Sequence, residues 1–238
     1  MKIWSFATSV LRTLTLGTAL AATVPVVANE LPYYDSPEFT PRWFDPNDAS
    51  LRAFHRIPAF SFTNQHGATV SEQSVAGKIY VASFFFSTCP GICPAIRSKL
   101  ARIQAQYPND RDVLILSHSI RPSTDTPAVL RAYAKANDVT SRNWHLLTGD
   151  KAQTYHLAKS AYFANEDLGN VEKQDDFLHT ENLLLIDSER RIRGVYNGLS
   201  ASSVNNLLSD IRALKETMPK SRRSSPRDST GALAHTGP

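Results

Sequence analysis

The segment IYVASFFF, residues 79–86, constrains the fold more than any other stretch of this chain. It is a near-continuous apolar run of strand length, and a strand with no polar face must be covered on both sides. The flanking sequence supplies that cover. Pro94 suits the first turn of a helix, and Ile96, Leu100, Ile103 and Tyr107 follow at helical spacing. Residues 113–117 read as a second buried strand. Pro127 opens another helix, with Thr126 as its cap and Val129, Leu130, Tyr133 and Ala134 on its apolar face. A short strand at 144–147 precedes Gly149-Asp150, which cap a helix running to about Phe163. Residues 164–178 are polar and read as a loop. Residues 182–186 and 190–196 form a hairpin around Asp187-Ser188-Glu189, and Val204, Leu207, Leu208, Ile211 and Leu214 mark a last amphipathic helix. Upstream, residues 59–63 and 69–71 flank the turn-forming Asn64-Gln65-His66-Gly67. The order specifies an α/β fold: a central mixed sheet with flanking helices and an N-terminal hairpin.

The ends of the chain differ from this body. The net charge of +4 comprises +2 from Lys2 and Arg12 in residues 1–28 and +3 from residues 219–238, which leaves the body at −1. The basic balance therefore belongs to the ends, and a nucleic-acid partner is not expected. Residues 1–28 read as an export signal cleaved after Ala28, with an uncleaved anchor as the competing reading. Export places the body in the periplasm, with the inner membrane nearby, where two cysteines are able to pair. Residues 29–56, rich in proline and aromatics, read as an extended arm, and 57–218 as the folded domain. The 219–238 tail is too polar and too rich in Ser, Arg, Pro and Gly to offset its ordering entropy.

Cys89 and Cys93 are the only cysteines. They stand four apart at the end of the central strand, just before the helix that Pro94 opens. Backbone N–H groups and the helix dipole there favour thiolate over thiol. A structural disulfide across so short a loop would contribute only about 2 kcal/mol, so a staple is a poor explanation. A dithiol alone does not separate redox exchange from metal binding. Two thiolates also leave a metal one donor short of trigonal coordination. His55, His66, His145, His156 and His235 read as ordinary surface or core histidines. His118 ends the second buried strand and is harder to set aside. His179, in DDFLHTENLLLID, stands where the polar loop meets a buried strand.

With IPAFSFTNQHG, GKIYVASFFFSTCPGICP, TDTP, LLTGD and HTENLLLID in this order, the chain from about residue 57 to 215 resembles the Sco/SenC family of copper-binding proteins. The resemblance implies a thioredoxin-like fold. It also implies copper, as Cu(I) or Cu(II), held by Cys89, Cys93 and His179, with the cysteines able to form a redox disulfide. The family delivers copper to the binuclear site of cytochrome c oxidase or keeps that site's thiols reduced. The implied partners are a copper-accepting protein and a thiol reductant, and the implied role is a metallochaperone rather than an enzyme. Two departures stand out. Leu178 replaces the aspartate usual before the histidine, with Asp175 and Asp176 as nearby carboxylates. His118 and Arg121, in SHSIRPSTDTP, stand where the family is acidic. The alternative function is a periplasmic thiol–disulfide oxidoreductase using Cys89 and Cys93. Its CxxxC spacing and the absence of a proline before the strand at Thr180 count against it. Zinc on the same donors is a third reading.

Overall fold

The structure, a computed structural model, describes residues 31–45, 47–164 and 180–218. The leader and tail expected at 1–28 and 219–238, the polar loop after Ala164 with Asp175 and Asp176, and His179 lie outside the described residues. Seven strands form one sheet in the order β2-β1-β5-β4-β3-β6-β7. These are β1 (Ser61–Asn64), β2 (Thr69–Ser71), β3 (Ile79–Phe85), β4 (Val113–Ser119), β5 (Trp144–Thr148), β6 (Asn182–Ile186) and β7 (Ile192–Asn197). β3, β4 and β5 run parallel, and the strands outside them are antiparallel, so the sheet is mixed as expected. Every residue of β3 is buried, in keeping with its apolar sequence.

Alternation along the strands divides the interior in two. Val81, Phe85, Ile115 and Leu185 face α1 (Cys93–Gln106), α2 (Pro127–Ala136) and α4 (Ala201–Thr217). Tyr80, Ala82, Phe84, Leu116 and Leu184 face α3 (Lys151–Ser160). The expected caps are in place: Thr126 Oγ1 accepts the Val129 N–H at 3.3 Å and Asp150 Oδ1 accepts the Gln153 N–H at 2.7 Å. On the first face Ser83 and Ser117 hydroxyls pair at 2.9 Å, and the Trp144 indole N–H donates to Ser117 at 3.1 Å. Gln65 extends the β1 edge with its side chain, donating to the Trp144 carbonyl at 2.8 Å and accepting the Leu146 N–H at 2.9 Å.

Several boundaries differ from the periodicity by a residue or more, β1 starting at Ser61 rather than 59, and three of the differences have a visible cause. β4 continues to Ser119, because its polar end is fully paired with β3. α3 stops at Ser160: Tyr162 and Ala164 N–H groups bond back to Leu157 and Ala158 while Phe163 takes φ 52°, a helix exit that glycine would usually mark. β7 begins at Ile192 rather than Arg190. Asp187 Oδ1 takes the Glu189 and Arg191 N–H groups and keeps 187–191 in the turn. The described part of residues 29–56 contains a bridge between Tyr33 and Arg42 and a 3₁₀ turn at Ala49–Arg52. Arg193 of β7 ties it down. Its guanidinium lies 3.7 Å over the Tyr33 ring, donates to the Leu31 and Pro32 carbonyls at 2.5 and 3.1 Å, and pairs with Asp187 at 3.2 Å.

His118 points into the α3 face, away from the cysteines. Its ring is stacked on Phe84 (5.5 Å), edged by Phe62 (5.2 Å) and tilted against Tyr162 (5.7 Å). Neither ring nitrogen has a hydrogen-bond partner among the described residues. Burial lowers its pKa to about 3. Below pH 6.5 the unfolded chain binds a proton that the folded ring refuses, so stability falls as pH drops through that interval, by about 1.4 kcal/mol per unit. His118→Phe keeps the ring packing and removes the titration. Urea unfolding at pH 7 and 4.5 is expected to show an acid-induced loss smaller by about 2 to 3 kcal/mol in the variant. Equal losses in both proteins would show that His118 does not carry the effect.

Candidate metal centre

β3 ends at Phe85 and α1 begins at Cys93, so residues 86–92 must turn the chain from sheet to helix. The Cys89 N–H donates to the Phe86 carbonyl at 3.2 Å and closes the first turn. Ile92 enters the helix without a side-chain cap, and Pro94 occupies the first turn, where its missing N–H has no intrahelical partner to lose. Cys93 is thus the first helical residue. Both cysteines are free thiols; Cys93 is buried, whereas Cys89 is half-buried and packs against the core on the α1 face.

The helix start does not prevail at Cys93. Burial, followed by the hydrogen bond to Cys89, pushes the Cys93 thiol up to about 12, although the Phe86 and Cys93 backbone amides pull the other way. Desolvation outweighs the dipole here because the sulfur lies inside the core rather than at its surface. The expectation of a thiolate on this residue is therefore corrected: in the metal-free fold Cys93 is a neutral thiol.

Tyr133 of α2 is close enough to feel the charge on both sulfurs, and burial is the main reason its hydroxyl is held above the ordinary range. Its ring lies 5.6 Å from Phe85, and the nearby Arg97 charge opposes that rise; Arg97 itself donates to the Asn137 carbonyl at 3.1 Å. Below Cys93 a cavity of about 20 Å³ is lined by Ser83, Phe85, Arg97, Tyr133 and Trp144. That is room for one water and not for a further side-chain donor. A larger cavity, about 690 Å³, lies at the opposite end of the sheet between Ile79, Asp187, Leu31 and Met218, far from the thiols.

Asp125, in the TDTP segment, braces the loop. Its carboxylate accepts the Ser87 N–H at 3.0 Å, the Ser87 hydroxyl at 2.5 Å and the Ser119 hydroxyl at 2.5 Å. Arg121, which stands where the Sco pattern is acidic, lies 4.6 Å over the Phe86 ring. On the other side, β6 runs antiparallel to β3, with Leu184 opposite Ala82, so its start points toward the end of β3 that releases the cysteine loop. Gly198 marks the contact. A Cβ there would meet the Glu181 carbonyl oxygen at 2.8 Å and Ile96 Cγ1 at 3.3 Å, which sets the chain before β6 against the first turn of α1.

The other histidines in the described residues have ordinary surroundings. His55 Nε2 lies 2.8 Å from the Ala161 carbonyl, His145 Nδ1 lies 3.2 Å from Asn64 Nδ2, and His156 Nδ1 lies 3.3 Å from Ser160 Oγ. His66 sits on the exposed hairpin turn. Among the described residues no three His, Cys, Asp or Glu side chains converge to hold a metal ion. Arg97 and Gly198 carried no signal in the sequence, Tyr133 read only as part of the apolar face of α2, and Ser87 only as a residue of the cysteine motif. Asp125 carried a partial one, as the acid before the Thr126-Pro127 helix start.

Residues 49–216 match the SCO1/SenC family model. The SCO1 protein homolog of Bacillus subtilis is 27% identical over 161 residues, which cover 67% of this chain and 82% of that protein. The structure of BsSco, described as a member of the Sco family of cytochrome c oxidase assembly proteins with a disulfide switch, superposes with a TM-score of 0.59. It is 26% identical and covers 68% of this chain and 95% of its own. Arabidopsis thaliana ScoI, solved with copper bound, superposes with a TM-score of 0.52 at 25% identity over 65% of this chain and 97% of its own. The mixed sheet with helices on both faces is the thioredoxin-like fold of these proteins. By the extent of that match, the chain belongs to the SCO1/SenC family.

Proposed function

We propose that this chain binds copper through Cys89, Cys93 and His179 and passes it to a copper-accepting protein outside the cytoplasm. The observation that carries the reading is the pair of adjacent, unbridged thiols at the strand-to-helix junction, one buried and the other half-exposed. Soft sulfur donors select Cu(I), and an imidazole completes a three-coordinate set; Cu(II) is held by the same three with a further weak ligand. The small cavity beneath Cys93 leaves the third donor to come from above. Gly198 supports His179 in that role, because the chain two residues after His179 lies against the first turn of α1. Copper bound to the related Arabidopsis protein supports the choice of metal.

Copper is cargo in this reading. The acceptor is a copper enzyme such as cytochrome c oxidase, and a thiol reductant keeps the site loadable, since a Cys89–Cys93 disulfide offers no thiolate. The export signal read in residues 1–28 supports a periplasmic location. A second reading, thiol–disulfide exchange with exported proteins, is favoured by the unequal exposure of the sulfurs: Cys89 is open to attack while Cys93 waits buried behind it. The disulfide switch of BsSco is in keeping with it.

Titrating the reduced full-length chain with Cu(I) against a chromophoric competitor is expected to give one tight equivalent. His179→Ala should weaken binding at least about tenfold, His145→Ala should leave it unchanged, and the disulfide form should not bind. Equal affinity in wild type and His179→Ala would sink the three-donor site. Gly198→Ala tests the approach of the segment before β6. Its methyl group presses on the Glu181 carbonyl and Ile96, and copper affinity should drop several-fold while the two cysteines still oxidise to a disulfide. Unaltered copper affinity would separate that segment from the site.

A further inference from the structure

Asp125 is neither a copper donor in the reading above nor part of an ion pair among the described residues, yet it is only 1% exposed. A carboxyl group so buried requires hydrogen-bond partners. Among the described residues these come from one corner of the sheet: two donors of Ser87 and one of Ser119. Ser119 is the register partner of Phe85, and the Ile120 N–H donates to the Phe85 carbonyl at 2.9 Å. The carboxylate therefore joins the end of β4 to the first residues beyond β3. Its own position is fixed from behind, because the Asp125 N–H donates to the Arg121 carbonyl at 2.9 Å and Thr126 caps α2.

We propose that Asp125 is a positioning residue that preorganises the two sulfurs. Gripping Ser87 at both its N–H and its hydroxyl fixes the turn from Phe86 to Cys89, and so holds Cys89 beside Cys93 in advance of metal or oxidant. Beyond Ser87 the loop runs through exposed Thr88, Pro90 and Gly91, which make no such anchor. Without the grip, Cys89 would range over more conformations. The effective concentration of one sulfur at the other would fall, weakening every equilibrium that needs both together. A bond from Cys89 to Cys93 and a metal shared by them are two such equilibria. The copper half of this inference rests on the proposed function; the disulfide half does not.

The test uses the full-length chain as wild type, Ser87→Ala and Asp125→Asn, equilibrated with glutathione buffers. Oxidised glutathione accepts the electrons: its S–S bond breaks, the Cys89–Cys93 bond forms, and the two thiol hydrogens pass to two molecules of glutathione. Both variants are expected to favour the dithiol by about tenfold relative to wild type, which is about 30 mV in reduction potential. Their Cu(I) affinities should fall by a similar factor. Ser87→Ala leaves Asp125 and the α2 cap in place, so it reports even if Asp125→Asn does not fold. A role confined to fold stability would lower the unfolding temperature and leave the glutathione equilibrium of the folded protein unmoved. That result in both variants overturns the proposal. Failure of wild type to bind Cu(I) would instead remove the copper reading, with the positioning role still judged by glutathione.

Discussion

The parallel pairing of β3 with β4 is the constraint from which the other features follow. Seven residues of each strand match without a slip, from Ile79 opposite Val113 to Phe85 opposite Ser119, and all of them are buried. Parallel neighbours cannot be joined by a tight turn, so the chain has to cross over the sheet, and α1 is that crossover. Its start is thereby placed above the C-terminal ends of the strands, where α/β sheets leave room for ligands. The cysteines occupy the two ends of the short link that the crossover demands.

Equal strand ends have a second effect. Because β3 and β4 finish level, the residues leaving β4 run beside those leaving β3, and one carboxylate from the β4–α2 connection reaches both Ser87 and Ser119. Polar groups at this end of the sheet are handled in two ways. On the α1 face Ser83, Ser117 and Trp144 satisfy one another. On the α3 face His118 is left without a partner among the described residues and is held by aromatic contact alone. The first arrangement gives a firm floor beneath Cys93, whereas the second stores a cost on the face that carries no sulfur.

Much of this was legible in the sequence. The apolar run at 79–86, the two helix-opening prolines and the cap residues placed every helix and strand of the sheet to within a few residues, because each rests on local periodicity. The errors fell where a long-range partner decides the local outcome. The second buried strand reads as 113–117 with His118 at its end, yet pairing with β3 carries it in register to Ser119. Phe163 leaves α3 in a left-handed conformation without the glycine that would announce it. At the site, Cys89 and Cys93 were visible because only three residues separate them. The grip of Asp125 on Ser87 spans 38 positions, beyond any motif. The neutral state of Cys93 was misjudged for a related reason: the helix start is written in the sequence, while the depth of its burial is set by what packs over it.

The knot around Arg193 has a bearing on how the domain presents itself. Leu31, whose carbonyl Arg193 holds, borders the same cavity as Ile79 and Met218, at the end of β3 opposite to the cysteine loop. The two ends of the described domain thus meet at its base, about 23 Å of strand below the thiols. The cysteine loop and the two described ends therefore stand at opposite poles of the sheet, so the height of the strands alone separates Leu31 and Met218 from the sulfurs.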